Sequence, residues 1–203
     1  MIKTLEFSTP IYHVEKYEWL HLLKKVSNEY VLNMKRKIKN KQLEYGYVYR
    51  TENYFNDMRI KDVTNFIKNK CYEILDEWGY DTKNYRLLFN EFWTNKFTND
   101  GGCHIETHAH PNNHISGFYF LEICDETTQP HFVDPRPFQH LVYKNENDLT
   151  LGSQSVYFKC KPGTFLFFPS YLQHFFPVHK GVKNFSFIHF NVQAIHNNIF
   201  NNK

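Results

Sequence analysis

A mainly β architecture with flanking helices, an antiparallel jelly roll, is what this sequence predicts, and three observations carry the prediction. Twenty Phe and fourteen Tyr occur among 203 residues, and flat side chains suit the pleated, half-buried surface of a sheet. Apolar residues recur at helical spacings of three and four only before about residue 80. Beyond residue 84 the pattern changes to short aromatic and β-branched runs separated by Gly, Asn, Asp and Pro, the punctuation of strands and turns.

Taken in order, residues 5–14 read as a short extended opening. A first helix begins near Tyr17, where Trp19, Leu20, Leu22, Leu23, Val26 and Tyr30 form one apolar stripe. A second places Ile60, Val63, Phe66, Ile67, Cys71, Ile74, Leu75 and Trp78 on one face. Gly79 ends it, because glycine takes the left-handed conformation of a helix C-cap without steric cost. Candidate strands follow at 85–97, 103–110, 115–124, 130–133, 138–142, 155–160, 164–168 and 185–195. Eight short strands after two helices predict a roll braced by helices along one side. The expected organisation is one domain over residues 1–203: helical support over 1–83, a β core over 84–196, and an Asn-rich tail over 197–203 that frays.

Composition narrows the function classes. A net charge of +3 is too small to imply a nucleic-acid partner, and the basic tract at 35–41 reads as a solvated helix face. Cys71, Cys103, Cys124 and Cys160 are widely spaced and form no Cys-x-x-Cys pair, which argues for a reducing compartment. No run of about 18 apolar residues and no apolar leader segment is present. A soluble cytoplasmic protein without a membrane partner is therefore expected.

Chemistry concentrates in two places. One reads His104-Ile105-Glu106-Thr107-His108-Ala109-His110-Pro111, and the other ends an aromatic strand at His174. Residues two apart in a strand project from one face, so His104, Glu106, His108 and His110 would all face the interior. A lone interior histidine is commonplace. Four titratable groups facing inward are not, since their desolvation is costly unless something binds them. His108 and His110, joined by His174 from a returning strand, would form three neutral imidazoles suited to a borderline transition metal such as Fe(II).

Further motifs stand in a fixed order: His108-Ala109-His110-Pro111-Asn112, Ser116-Gly117-Phe118-Tyr119-Phe120-Leu121, Asp134-Pro135-Arg136, and Pro162-Gly163 leading to Phe168-Pro169-Ser170-Tyr171-Leu172-Gln173-His174. Phe190-Asn191 closes the series. This pattern, over roughly residues 91–192, resembles a family of 2-oxoglutarate- and Fe(II)-dependent oxygenases common in phage and marine bacterial genomes. The resemblance implies a cupin-like double-stranded β-helix with Fe(II) held by His108, His110 and His174. It also implies 2-oxoglutarate as co-substrate, with dioxygen as the partner oxidant. The implied activity is that of a dioxygenase that hydroxylates a peptide side chain or small metabolite and releases succinate and CO2.

The chain departs from the pattern in two respects. His104-Ile105-Glu106 satisfies the histidine-then-acid rule of the wider superfamily in a rival register, so Glu106 competes with His110; Pro111-Asn112 and the distance to Ser116-Gly117 favour His110. The distal carboxylate of 2-oxoglutarate ordinarily meets an arginine on the last core strands, yet no arginine follows Arg136. Lys183 lies nine residues after His174 and shares parity with Phe185, Phe187, His189 and Asn191. Lys183, Arg136 from its loop, the Tyr119 hydroxyl and Asn191 are thus the candidate co-substrate contacts. Asp134-Pro135-Arg136 reads equally as an ordered loop over the cavity or as a turn with a local ion pair. Of the other histidines, His189 is the one best placed to face inward. Without the arginine two rivals stay open: a non-catalytic metal-binding jelly roll, and a three-histidine cupin-type dioxygenase that does not use 2-oxoglutarate.

Overall fold

Two antiparallel sheets lie face to face, and helices cover the outer side of the larger one. The computed structural model describes residues 8–38, 48–136 and 153–201. The larger sheet contains β1 (Tyr12–Glu15), β2 (Val48–Arg50), β3 (Tyr85–Phe97), β5 (Ile115–Glu122), β8 (Thr164–Pro169) and β10 (Ser186–His196), in the order β1-β8-β5-β10-β3-β2. The smaller contains β4 (Cys103–His108), β6 (His131–Val133), β7 (Ser155–Tyr157) and β9 (His174–His179), in the order β4-β9-β6-β7.

The helices form where the apolar stripes lie. A 3-10 turn at Tyr17–Trp19 leads into α1 (Leu20–Lys37), and α2 (Lys61–Glu77) is followed by Gly79 at φ 82°, the left-handed cap. Lys35, Arg36 and Lys37 occupy the last turn of α1, where positive charge is favourable beside unpaired carbonyls. That gives the described part of the basic tract its place in the helix.

Two buried layers result. Leu23, Val26, Ile67 and Cys71 pack on Phe92, Tyr119, Phe165 and Phe190 between helices and sheet. Phe118, Phe120, Phe132, Phe168, Phe176 and Phe187 fill the space between the sheets. A strand covered on both faces shows no polar alternation, and β5 is buried at every position from Ile115 to Leu121. At Gly117 a Cβ would collide with the Phe190 ring and the Leu166 carbonyl, so only glycine lets β5 pass there.

The strand at 85–97 matches β3, while those at 103–110, 115–124 and 155–160 are each shorter than the sequence predicts. The strand expected at 138–142 lies outside the described residues. Neither β2 nor β9 was anticipated: β2 is only three residues long, and Pro177 argues against a strand where β9 runs at the sheet interior but donates nothing there. Asn198–Asn201 forms a single helical turn, α3, where a fraying tail was expected; Asn197 N–H donates to the Asn84 carbonyl at 2.8 Å and holds its start. Among the described residues no helix is long and apolar enough to cross a membrane.

Candidate metal centre

A bulge aims His108. Ile105 pairs with Phe176 and His108 with His174, so β4 spends three residues where β9 spends two. Such an extra residue reverses which side chains face inward. Cys103 and Ile105 are buried, His104 and Glu106 are exposed, and His108 alone of the expected inward set turns inside from the strand. The expectation that His104, Glu106, His108 and His110 share one face is thereby corrected. The Glu106 side chain stays on the outer face, and its backbone carbonyl instead receives the His108 Nδ1 proton at 2.7 Å.

His110 lies beyond β4, in a turn where Asn112 adopts φ 67°, a conformation asparagine tolerates. Its N–H donates to the Ser170 carbonyl at 2.9 Å, and Ser170 N–H donates to the His114 carbonyl at 3.1 Å. These bonds stitch the turn to the segment that leads into His174. His174, 1% exposed, opens β9 and donates from Nδ1 to the Leu172 carbonyl at 3.0 Å.

Those carbonyls fix the tautomers. A carbonyl can only accept, so His108 and His174 carry their protons on Nδ1 and present bare Nε2 lone pairs. His110 turns Nδ1 toward Glu91 Oε2 at 3.8 Å and Nε2 toward His174 Nε2 at 3.3 Å. His174 brings a bare lone pair to this contact, which a proton on His110 Nε2 or a cation between the two rings satisfies. Two ligands at right angles on an ion, with metal–nitrogen bonds of about 2.1 Å, would stand about 3 Å apart. All three residues offer nitrogens within 4.8 Å of one another. Burial also keeps the rings neutral: it is the largest cause lowering the pKa of His108 and His174, and with the neighbouring His189 and His108 it pushes His110 down to about 3. The donor set fits a divalent transition metal. A carbonyl on the remaining ring nitrogen is the support such ligands ordinarily have.

Facing these rings, the larger sheet presents three rows. Directly opposed residues of an antiparallel pair share a face. Glu91, Asn191 and Ser116 form one row, Trp93, His189 and Phe118 the next, and Arg50, Asn95 and Phe187 the third. The first row is a hydrogen-bond chain: Ser170 receives from Ser116 at 2.8 Å, Ser116 also reaches Asn191 Oδ1 at 2.5 Å, and the Asn191 amide donates to Glu91. Glu91 Oε2 stands 3.4 Å from His189 Nε2, and Glu91, His110 and His189 form a second group with metal-ligand spacing. Because His110 directs Nε2 to His174, Glu91 stands behind the His110 ring, at 3.8 Å too far to hold its Nδ1 proton in a hydrogen bond. It restores beside the centre the negative charge that a three-histidine set lacks.

The other sequence candidates are dispersed. Asn191 belongs to the first row. His189 does face inward, 4.5 Å from the His110 ring and 5.0 Å from Trp93. Tyr119 points the opposite way, into the helix-side core, and donates to the Lys16 carbonyl at 2.8 Å. Lys183 sits in the turn before β10 beside Glu126 at 3.6 Å, with its side chain 55% exposed. Arg136 bonds Asp134 through its own N–H, Nε and Nη2, a locally closed turn. Sequence reading missed Glu91, Trp93, Asn95 and Arg50. A carboxylate inside the aromatic run of β3, at the parity of Trp93 and Asn95, was the available signal for the first.

Residues 91–191 match the family model described as "Putative 2OG-Fe(II) oxygenase". A comparison with curated protein sequences finds no match. Among solved structures, the chain is similar to the non-heme alpha ketoglutarate dependent carbocyclase SnoK from nogalamycin biosynthesis, with TM-score 0.61, 9% identity, and coverage of 93% of this chain and 82% of that one. It is similar to a prolyl-4-hydroxylase of Pseudomonas putida (0.57, 9%, 92% and 94%). It is also similar to HygX of Streptomyces hygroscopicus, solved with nickel and 2-oxoglutarate bound (0.55, 9%, 91% and 83%). At these identities the likeness establishes the fold, a double-stranded β-helix. Residues 91–191, which carry the three clustered histidines and the carboxylate behind them, are the part of this chain that matches the 2OG-Fe(II) oxygenases.

Proposed function

We propose that His108, His110 and His174 are the Fe(II) ligands, each through Nε2, and that the enzyme hydroxylates a peptide side chain or a small metabolite. When bound, Fe(II) with 2-oxoglutarate supplies dioxygen activation, with decarboxylation of the co-substrate to succinate and CO2 and oxidation of a substrate C–H bond. The single observation that carries the ligand assignment is the convergence of His108, His110 and His174, whose ligand nitrogens lie within 4.8 Å of one another with His174 Nε2 left unprotonated by the carbonyl behind its ring. The chain's own residues do the rest. Leu172 and Glu106 carbonyls orient two rings, Glu91 supports the third, and Phe118, Phe168 and Phe176 surround the donors with apolar surface that limits water.

The cavity between the histidines and the larger sheet measures about 20 Å³, room for an ion or about one water. Binding of 2-oxoglutarate therefore requires side chains at its rim to swing aside. Support for a reducing compartment such as the cytoplasm comes from the cysteines, none of which forms a disulfide.

The direct test is succinate formation. Incubated with Fe(II), 2-oxoglutarate and oxygen, the protein is expected to form succinate slowly even without a substrate, and to stop when either Fe(II) or oxygen is withheld. A protein that takes up iron yet consumes no 2-oxoglutarate under any of these conditions would return the assignment to a non-catalytic metal binder. The support from Glu91 makes a separate prediction: Glu91→Gln keeps the shape and the Asn191 hydrogen bond but removes the charge, and should weaken metal binding about 10-fold. Competition with a chromogenic chelator measures it; unchanged affinity would leave Glu91 a purely structural partner of Asn191.

A further inference from the structure

One requirement of the site is not met by any described residue inside the family match. The co-substrate is a dianion, and once its 2-oxo acid end has chelated the ion its distal carboxylate needs a cation in a water-poor cavity. Lys183 and Arg136 both lie elsewhere, each beside a carboxylate of its own. Among the described residues that line the cavity of the three histidines, Arg50 is the one Lys or Arg side chain.

Arg50 comes from β2, about forty residues before the family match begins. Its position in the sheet explains how it reaches the centre. Arg50 pairs with Asn95, and Asn95 pairs with Phe187 of β10, so the guanidinium starts two strands away from β10 but in the same inward row. The guanidinium carbon lies 5.0 Å from the centre of the Trp93 ring. Arginine thus reaches from the neighbouring edge into the space where the last strand carries Phe187.

A second, independent observation marks the same spot as a polar-ligand pocket. Asn95, 3% exposed, has an amide oxygen with no hydrogen-bond partner, and the Trp93 indole nitrogen is likewise buried without one. Both side chains line the cavity beside Arg50. Buried polar atoms are almost always satisfied, so two orphans side by side signal a missing ligand. An asparagine amide turned over offers its N–H2 instead of its oxygen, and the indole N–H is a donor only. Guanidinium, amide and indole together are a set of donors, the complement of a carboxylate.

We infer that Arg50, flanked by Asn95 and Trp93, is the anchor for the distal carboxylate of 2-oxoglutarate. This rests on the reading that 2-oxoglutarate chelates an ion at His108, His110 and His174. Arg50 is a positioning residue: it selects a dicarboxylate and sets which way the 2-oxo end lies, and it leaves the ion to the histidines.

The test compares two acids that share the chelating end. Nickel-loaded full-length protein is titrated calorimetrically with 2-oxoglutarate and with pyruvate, which lacks the distal carboxylate. The wild type should bind 2-oxoglutarate about 100-fold more tightly than pyruvate, the scale of charge-assisted hydrogen bonds in a buried site. Arg50→Gln should reduce that preference to a few-fold at most while leaving nickel stoichiometry and pyruvate affinity as they were, and Arg50→Lys should restore part of it. If the Gln variant loses nickel or pyruvate binding as well, the decision passes to the wild type: 2-oxoglutarate, but not pyruvate, should protect Arg50 from phenylglyoxal as read by mass spectrometry, with Arg59 and Arg86 as internal references. Retention of the wild-type preference in Arg50→Gln, its loss in Lys183→Ala instead, or equal protection by both acids would each overturn the assignment. Failure of the nickel-loaded wild type to bind either acid would remove the reading beneath it, and the assignment with that.

Discussion

His174→Ala is expected to lose metal binding by at least about 100-fold and to bring Fe(II)-dependent succinate formation to background, beyond the 10- to 100-fold range seen when only the supports of ligands are removed. The residue has no substitute nearby. Its Nε2 faces that of His110, and its ring is clamped by the Leu172 carbonyl and by Phe168 at 4.9 Å and Phe118 at 5.4 Å. Loss of a buried ring costs packing, so thermal stability without metal should fall as for a core truncation. The sharper readout is linkage. Saturating nickel, at about 1,000 times its dissociation constant, should stabilise the wild type by about 4 kcal/mol, and the variant by almost nothing. A variant that retains the wild-type nickel shift would strike His174 from the ligand set.

The second large effect is acid sensitivity of the metal-free protein. An unfolded histidine takes up its proton near pH 6.5. In the fold, burial holds His108, His174 and His189 below that value and His110 down to about 3. Between the two limits the unfolded chain binds more protons than the native one, so stability is full above about pH 6.5 and declines as the pH falls. Each ring contributes up to about 1.4 kcal/mol per pH unit. His110, held down to about 3, alone contributes about 2 kcal/mol by pH 5, and the other three act in the same direction. Urea midpoints measured from pH 8 to pH 5 should fall steeply below neutrality, and nickel should delay the fall. A flat profile to pH 5 would mean that the rings are solvated and the pocket is wetter than its aromatic walls imply.

Much of this was written in the residue pattern, and the exceptions have physical causes. The helix stripes and the 85–97 strand were plain because long periodic segments leave little choice of conformation. His108, His110 and His174 stood out because histidines at short spacing followed by a distant one rarely serve only packing. The facing of His104 and Glu106 was misjudged because a bulge adds one residue to β4 and nothing in local composition announces it. Arg50 escaped notice since three residues of edge strand carry no periodicity, and its partner strand lies some forty positions later. Glu91 went unremarked because only the pairing of β3 with β10 puts it opposite Asn191.

The bulge-aimed and turn-borne histidines all belong to the smaller sheet and its connections, whereas Glu91, Trp93, Asn95 and Arg50 belong to the larger. The wall that would grip the ion and the wall that would read the organic acid are therefore separate pieces of chain. An engineer could rewrite one as a specificity cassette, accepting longer, shorter or uncharged 2-oxo acids, while the other goes on loading the same metal.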